Sequence, residues 1–157
     1  MTQLPEQAIQ TRFLAKGWTL SVAESCTGGA LAARLTRQPG ASNYFSGGIV
    51  SYSNQLKHTL LGVPTDLIDT YGAVSQQVVA SMAEGILTCT GTDVGIAVSG
   101  IAGPTGGSRT KPVGTVWAAL MKKGEKPYCW CLQLEGERTQ IIEKAVEAIL
   151  QQLLTFS

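Results

Sequence analysis

Lys57 and a small set of serines hold the chemistry this chain could perform. Residues 39 to 57 read Pro-Gly-Ala-Ser-Asn-Tyr-Phe-Ser-Gly-Gly-Ile-Val-Ser-Tyr-Ser-Asn-Gln-Leu-Lys. A Pro39-Gly40 turn precedes Ser42, and the apolar run Phe45 to Tyr52 reads as a strand. Ser53 or Asn54 then caps a helix by offering a side-chain oxygen to its orphan N–H groups. Lys57 falls in the first turn of that helix, where the helix dipole disfavours a cation. An amine in unfavourable electrostatics loses its proton more readily, and a neutral lysine is a usable general base. A serine within its reach, such as Ser42, is then a candidate nucleophile. On spacing alone, a surface lysine and a turn serine explain the same residues.

Two further stretches suit a ligand. The run Trp18 to Ala23 alternates like a strand and passes through Glu24-Ser25-Cys26-Thr27-Gly28-Gly29 into the helical segment Ala30 to Leu35. Such a junction aims backbone N–H groups and a helix dipole at one spot, which suits a phosphate or carboxylate; tight packing alone also explains the glycines. Residues 100 to 114 form a loop with five glycines, two prolines and the cations Arg109 and Lys111. Loops of that length in a small domain are commonly functional. This one follows the carboxyl end of a buried strand, where open α/β sheets bind ligands.

Several chemistries are excluded. There is no G-x-x-x-x-G-K-[ST] phosphate loop, no dinucleotide fingerprint and no G-x-S-x-G elbow. The single histidine, His58, makes a Ser-His-Asp triad improbable and reads as a solvent-facing helix residue. No two carboxylates pair in a loop as a glycosidase needs. The cysteines Cys26, Cys89, Cys129 and Cys131 lack zinc-site spacing and read as free thiols in a reducing compartment. What remains is Ser/Thr/Gly-rich loops with Lys57, Tyr52, Arg109, Lys111 and Arg138, an inventory suited to an anionic small molecule and to acyl transfer by a Ser/Lys pair.

The elements that must position these residues follow from periodicity. Helical spacing marks residues 4 to 16, 54 to 61, 64 to 70, 76 to 89 and 139 to 154, with Ser75 as a cap for the fourth. Strand patterns mark 93 to 99, 115 to 121 and 127 to 134, the last two joined by a Lys122-Lys123-Gly124-Glu125 turn. Early strands alternate with helices and later strands form a meander. The expected fold is α/β: a mixed β-sheet with helices on both faces, a three-layer α/β/α arrangement, in one domain over residues 1–157. Charged residues make up 15% and the formal net charge is +1, so bulk electrostatics gives no reason to expect nucleic-acid binding. With no signal pattern and no apolar run of membrane-spanning length, a soluble cytoplasmic protein without a membrane partner is expected. The lightly charged surface fits a homodimer or larger homo-oligomer.

The wording of the motifs carries a resemblance. Ala23-Glu24-Ser25-Cys26-Thr27-Gly28-Gly29, Val50-Ser51-Tyr52-Ser53-Asn54, Gly72-Ala73-Val74-Ser75 and Ser99-Gly100-Ile101-Ala102-Gly103-Pro104-Thr105-Gly106-Gly107-Ser108, with Lys111 to Trp117, resemble the CinA carboxy-terminal domain family, also known as PncC-type nicotinamide-nucleotide amidohydrolases. The resemblance runs from about residue 6 to residue 152. It implies hydrolysis of the carboxamide of nicotinamide mononucleotide to nicotinate mononucleotide and ammonia by a Ser/Lys mechanism, with no metal or other cofactor, in pyridine-nucleotide salvage. Carried over residue by residue, it implies Ser42 as nucleophile, Lys57 as base, Tyr52 orienting Lys57, and Ser25 binding or stabilising the reacting amide. It further implies Thr27, Gly28, Gly29, Gly103, Thr105 and Gly106 around the nucleotide and Arg138 on its phosphate. The large amino-terminal domain of two-domain members is absent, so activities linked to it are not implied. The alternative is a non-catalytic nucleotide-binding module tied to a competence or DNA-damage response. Convergence of Ser42, Tyr52 and Lys57 beside the 100–114 loop would separate the two.

Overall fold

A computed structural model describes residues 2–156. The elements run α1 (Pro5–Lys16), β1 (Leu20–Glu24), α2 (Ala30–Leu35), β2 (Phe45–Val50), α3 (Asn54–Leu61), α4 (Thr65–Tyr71), α5 (Gln76–Thr90), β3 (Val94–Gly100), β4 (Thr115–Lys122), β5 (Tyr128–Gln133) and α6 (Arg138–Thr155). A 3-10 turn, Ala41–Asn43, precedes β2. The expected caps form: the Ser53 hydroxyl accepts from the Leu56 N–H at 3.1 Å and the Ser75 hydroxyl from the Val78 N–H at 3.3 Å. No described helix is long and apolar enough to cross a membrane.

One five-stranded sheet has the order β2-β1-β3-β4-β5. β1 is parallel to both β2 and β3, whereas β4 and β5 join antiparallel. This is the expected mixed sheet. Its faces are covered separately because successive side chains of a strand point to opposite sides. Leu20, Val22, Ile96 and Val98 face a core built with α1, α2 and α6. Ala23, Ala97 and Ala119 face a second core with α5, α3 and α4. The small alanines on that second face leave room for α5 to lie close to the sheet. Gly85 of α5 does the same for α3, since a Cβ there would collide with the Leu61 carbonyl.

From β1 the chain crosses to β2 on one side, and from β2 it crosses to β3 on the other. The carboxyl ends of β1 and β3 are therefore adjacent while their connections diverge, which opens a crevice at the topological switch point. Ser25 follows β1, Ser51 and Tyr52 follow β2, and the 101–114 segment follows β3. All three segments emerge at this edge of the sheet.

Candidate active site

α3 places Lys57 on its buried face, in line with Leu61 one turn on. The whole lysine is 1% exposed. Its Nζ lies 2.9 Å from Ser25 Oγ, 2.9 Å from the Ser51 carbonyl and 3.4 Å from the Tyr52 carbonyl. The amine is thus surrounded by acceptors with no carboxylate lining the same cavity. Burial holds its pKa below the usual lysine value, because desolvation disfavours the charged form. Burial is the chief cause of that shift.

The three contacts match both protonation states. A neutral amine donates its two hydrogens to the Ser51 and Tyr52 carbonyls and keeps its lone pair for the Ser25 hydroxyl. A protonated amine donates to all three oxygens. Proton transfer between Ser25 and Lys57 therefore needs no rearrangement of either side chain.

A cavity of about 250 Å3 opens onto this pair, lined among others by Tyr52, Asn54, Ser99, Thr105 and Arg138. Arg138 donates to the Gly103 carbonyl at 2.8 Å and to the Tyr52 phenol oxygen at 2.7 Å. It has no carboxylate partner among the described residues, so its charge remains available to an anion. Arg138 also lines a neighbouring cavity of about 500 Å3 with Pro104, Val113 and Thr139. The long loop is anchored at several points: Gly114 donates to the Ile101 carbonyl at 2.7 Å, and Lys111 Nζ donates to the Tyr71 carbonyl at 2.6 Å.

Ser42 is not at this site. It is exposed on the 3-10 turn before β2, beside the start of β1, where the Leu20 N–H donates to the Tyr44 carbonyl at 2.8 Å. Lys57 meets the chain after β2's last residue, so the length of the strand, about 20 Å at ~3.3 Å per residue, separates the two. The expected convergence of Ser42 with Lys57 therefore does not occur, and Ser25 takes the place beside the amine. Tyr52 is present, but its phenol accepts from Arg138; only its backbone carbonyl contacts Lys57.

The expected anion site at Gly28-Gly29 is filled from within. Glu24, fully buried, accepts from the Thr27 hydroxyl at 2.5 Å and from the N–H groups of Gly29, Leu31 and Ala32 at 3.2, 3.0 and 3.0 Å. Its carboxylate satisfies the orphan donors that start α2. Thr27, Gly28 and Gly29 do not line the cavity, so they shape the turn that carries Ser25 and leave no anion site there. Gly103, Thr105 and Gly106 do line it. Sequence reasoning missed Glu24, although a lone acid ending an apolar strand before a Gly-rich turn was a usable signal. It also missed Cys26, Asn54, Ala73, Val74 and Ser99 as lining residues. Cys26 stands next to Ser25, but burial pushes its thiol up to about 12, so it is no thiolate nucleophile at neutral pH.

Glu24→Ala should lower stability by roughly 3 kcal/mol, since it strips the acceptor from three N–H groups at the start of α2, that of Leu31 buried and those of Gly29 and Ala32 partly so. In a domain of this size that corresponds to about 6–12 °C in melting temperature. A thermal melt within about 2 °C of the parent would show that other groups replace the carboxylate.

The family model for the CinA C-terminal domain matches residues 2–156. A nicotinamide-nucleotide amidohydrolase PncC of Enterobacter agglomerans is 48% identical over 140 residues, covering 89% of this chain and 85% of that protein. A competence-damage inducible protein of Desulforudis audaxviator is 49% identical over 154 residues, covering 98% of this chain and 37% of that protein. The chain spans about a third of the length of such longer relatives, 37% and 34% in two cases. Among solved structures, the competence damage-inducible protein A of Klebsiella pneumoniae superposes with a TM-score of 0.94 at 36% identity, covering 97% of this chain and 94% of that one. A competence/damage inducible protein of Agrobacterium tumefaciens gives 0.92 at 36% identity, covering 99% and 98%.

Proposed function

The chain belongs to the CinA C-terminal domain family, and from that premise we propose that it is a nicotinamide-nucleotide amidohydrolase with Ser25 as nucleophile and Lys57 as general base. It would convert nicotinamide mononucleotide to nicotinate mononucleotide and ammonia, returning the product to pyridine-nucleotide recycling. The observation that carries the reading is the buried Lys57 Nζ at 2.9 Å from Ser25 Oγ, inside a cavity with no lining carboxylate. The name of the Enterobacter agglomerans relative, a nicotinamide-nucleotide amidohydrolase, points to the substrate.

Lys57 takes the Ser25 proton as Oγ attacks the carboxamide carbon. The charge that develops on the amide oxygen meets the turn after Ser25, where Cys26 lines the cavity and its N–H donates to no other residue among the described ones. A donor so placed is worth roughly 3 kcal/mol to such an oxyanion. The protonated Lys57 then delivers its proton to the departing nitrogen, which leaves as ammonia. Water, deprotonated by Lys57, attacks the acyl ester, and the returning proton restores the Ser25 hydroxyl.

The cavity beside Ser25, about 250 Å3, has room for the pyridine carboxamide against Ser25 and Lys57. Arg138 joins it to the adjoining cavity, so its guanidinium suits the phosphate. Arg138→Ala should raise KM roughly 10- to 100-fold and change kcat less than about threefold, because phosphate binding is the same in ground and transition states. A fall in kcat at constant KM would move Arg138 into the chemistry. The reading as a whole is tested by ammonia release from nicotinamide mononucleotide. Folded protein that releases none would refute it.

A further inference from the structure

Ser99 has no partner in the machinery described so far. It is the penultimate residue of β3 and is 1% exposed. Along the parallel pair, Ala23 of β1 aligns with Ala97 of β3. Ser25 and Ser99 each lie two positions further on, so both keep the face that looks toward α5 and α3. Both line the same cavity as Lys57. No protein group among the described residues hydrogen-bonds the Ser99 hydroxyl, and what little of the residue is exposed opens on the cavity. Gln10 Oε1 is the buried side-chain polar atom left unpaired among the described residues, whereas the Ser99 hydroxyl opens on the cavity. It is therefore free to pair with a polar group of whatever fills that cavity.

The chemistry of the cavity identifies that group. Donors there include Lys57, Arg138 and the Cys26 N–H. No carboxylate lines the cavity and the Ser51 and Tyr52 carbonyls are engaged by Lys57, so the side-chain acceptors that remain are Asn54 and the Ser99 and Thr105 hydroxyls, and of these Ser99 is the buried one that shares a sheet face with Ser25. A carboxamide brings two N–H donors that need an acceptor when buried. We propose that the Ser99 hydroxyl accepts an N–H of the scissile carboxamide, so that Ser99 is a specificity-determining residue which orients the leaving nitrogen and favours the amide over an ester of the same acid.

This inference rests on the amidohydrolase reading, and two substrates separate their failures. Nicotinamide mononucleotide and the methyl ester of nicotinate mononucleotide share the ring, ribose, phosphate and carbonyl; the ester has no N–H. Ser99→Ala should lower kcat/KM on the amide by roughly 10- to 100-fold, as sites built to pair a substrate N–H lose when the pair is broken. On the ester the loss should stay within about threefold. Labelling of Ser25 by a fluorophosphonate should proceed at the parental rate, showing that fold and nucleophile are intact. Equal losses on both substrates, or no loss on the amide, would overturn the assignment while leaving the enzyme reading in place. Loss of labelling would overturn it too, by placing Ser99 in the shaping of the Ser25 turn. Wild-type protein inert to both substrates would overturn the assignment and the amidohydrolase reading together.

Discussion

Ser25→Ala is expected to abolish ammonia release from nicotinamide mononucleotide, by at least about 1000-fold in kcat, whereas Ser42→Ala should stay within about threefold of the parent. The two serines differ in what surrounds them. Ser25 Oγ sits 2.9 Å from a buried amine whose pKa is lowered by burial, and it faces the cavity. Ser42 is solvent-exposed at the opposite end of the strands, on the turn before β2, about one strand length from Lys57. Removing a nucleophile forfeits the whole covalent route, because the residues of such a unit act together. Trapping the acyl-enzyme and mapping it by mass spectrometry should place the adduct within residues 17–34. An adduct on the segment holding Ser42, or a dead Ser42→Ala enzyme with a live Ser25→Ala one, would reverse the assignment.

Lys57→Met should cost activity on the same scale, yet make the protein relatively more stable in acid. Met fills a similar volume without a charge to bury. In the parent, burial holds the folded-state pKa of Lys57 below the ordinary 10.5. Between those two values the unfolded chain binds a proton that the folded chain does not. Stability of the parent therefore rises with pH across that window, and it is lowest below the folded pKa, where charging the buried amine is fully opposed. Lys57→Met lacks this dependence. The melting temperature of the variant minus that of the parent should be largest at low pH and shrink as pH approaches 10.5. For the parent, kcat/KM should rise with pH through the folded pKa, since only the neutral amine accepts the Ser25 proton. A pH-independent difference between the two melting curves would mean that Lys57 is not desolvated in solution.

These expectations include a cost built into the fold. A charged or chargeable group buried without an acid partner opposes folding, and here it sits beside a serine and two carbonyls that suit a proton acceptor. Natural active sites are commonly less stable than an apolar replacement would be. Glu24 works in the opposite direction: it, too, is fully buried, but it is satisfied by four donors at the start of α2. One ionisable group fixes the turn, and the other lies beside it without a counter-charge.

The amino-acid sequence by itself determined the elements and their class. Helical spacing with Ser53 and Ser75 as caps gave α3 and α5, because side-chain periodicity and capping are local properties that a short window contains. The alternation of strands and helices, followed by a meander, predicted the mixed sheet covered on both faces. Lys57, Arg138 and the 100–114 loop were also legible as unusual residues in unusual places. What only the tertiary structure decided was which of them meet. Ser42 is 15 residues from Lys57 and Ser25 is 32, yet it is the more distant serine in the chain that lies beside the amine. A strand is a rigid spacer: β2 carries the chain away from Ser42 before α3 begins, while the parallel pairing of β1 with β2 brings the residue after β1 alongside the residues after β2. The Gly-rich turn misled for a related reason. Its donors were read as open, but the side chain of Glu24 folds back onto them, and side-chain direction depends on the face a strand presents once the sheet is assembled.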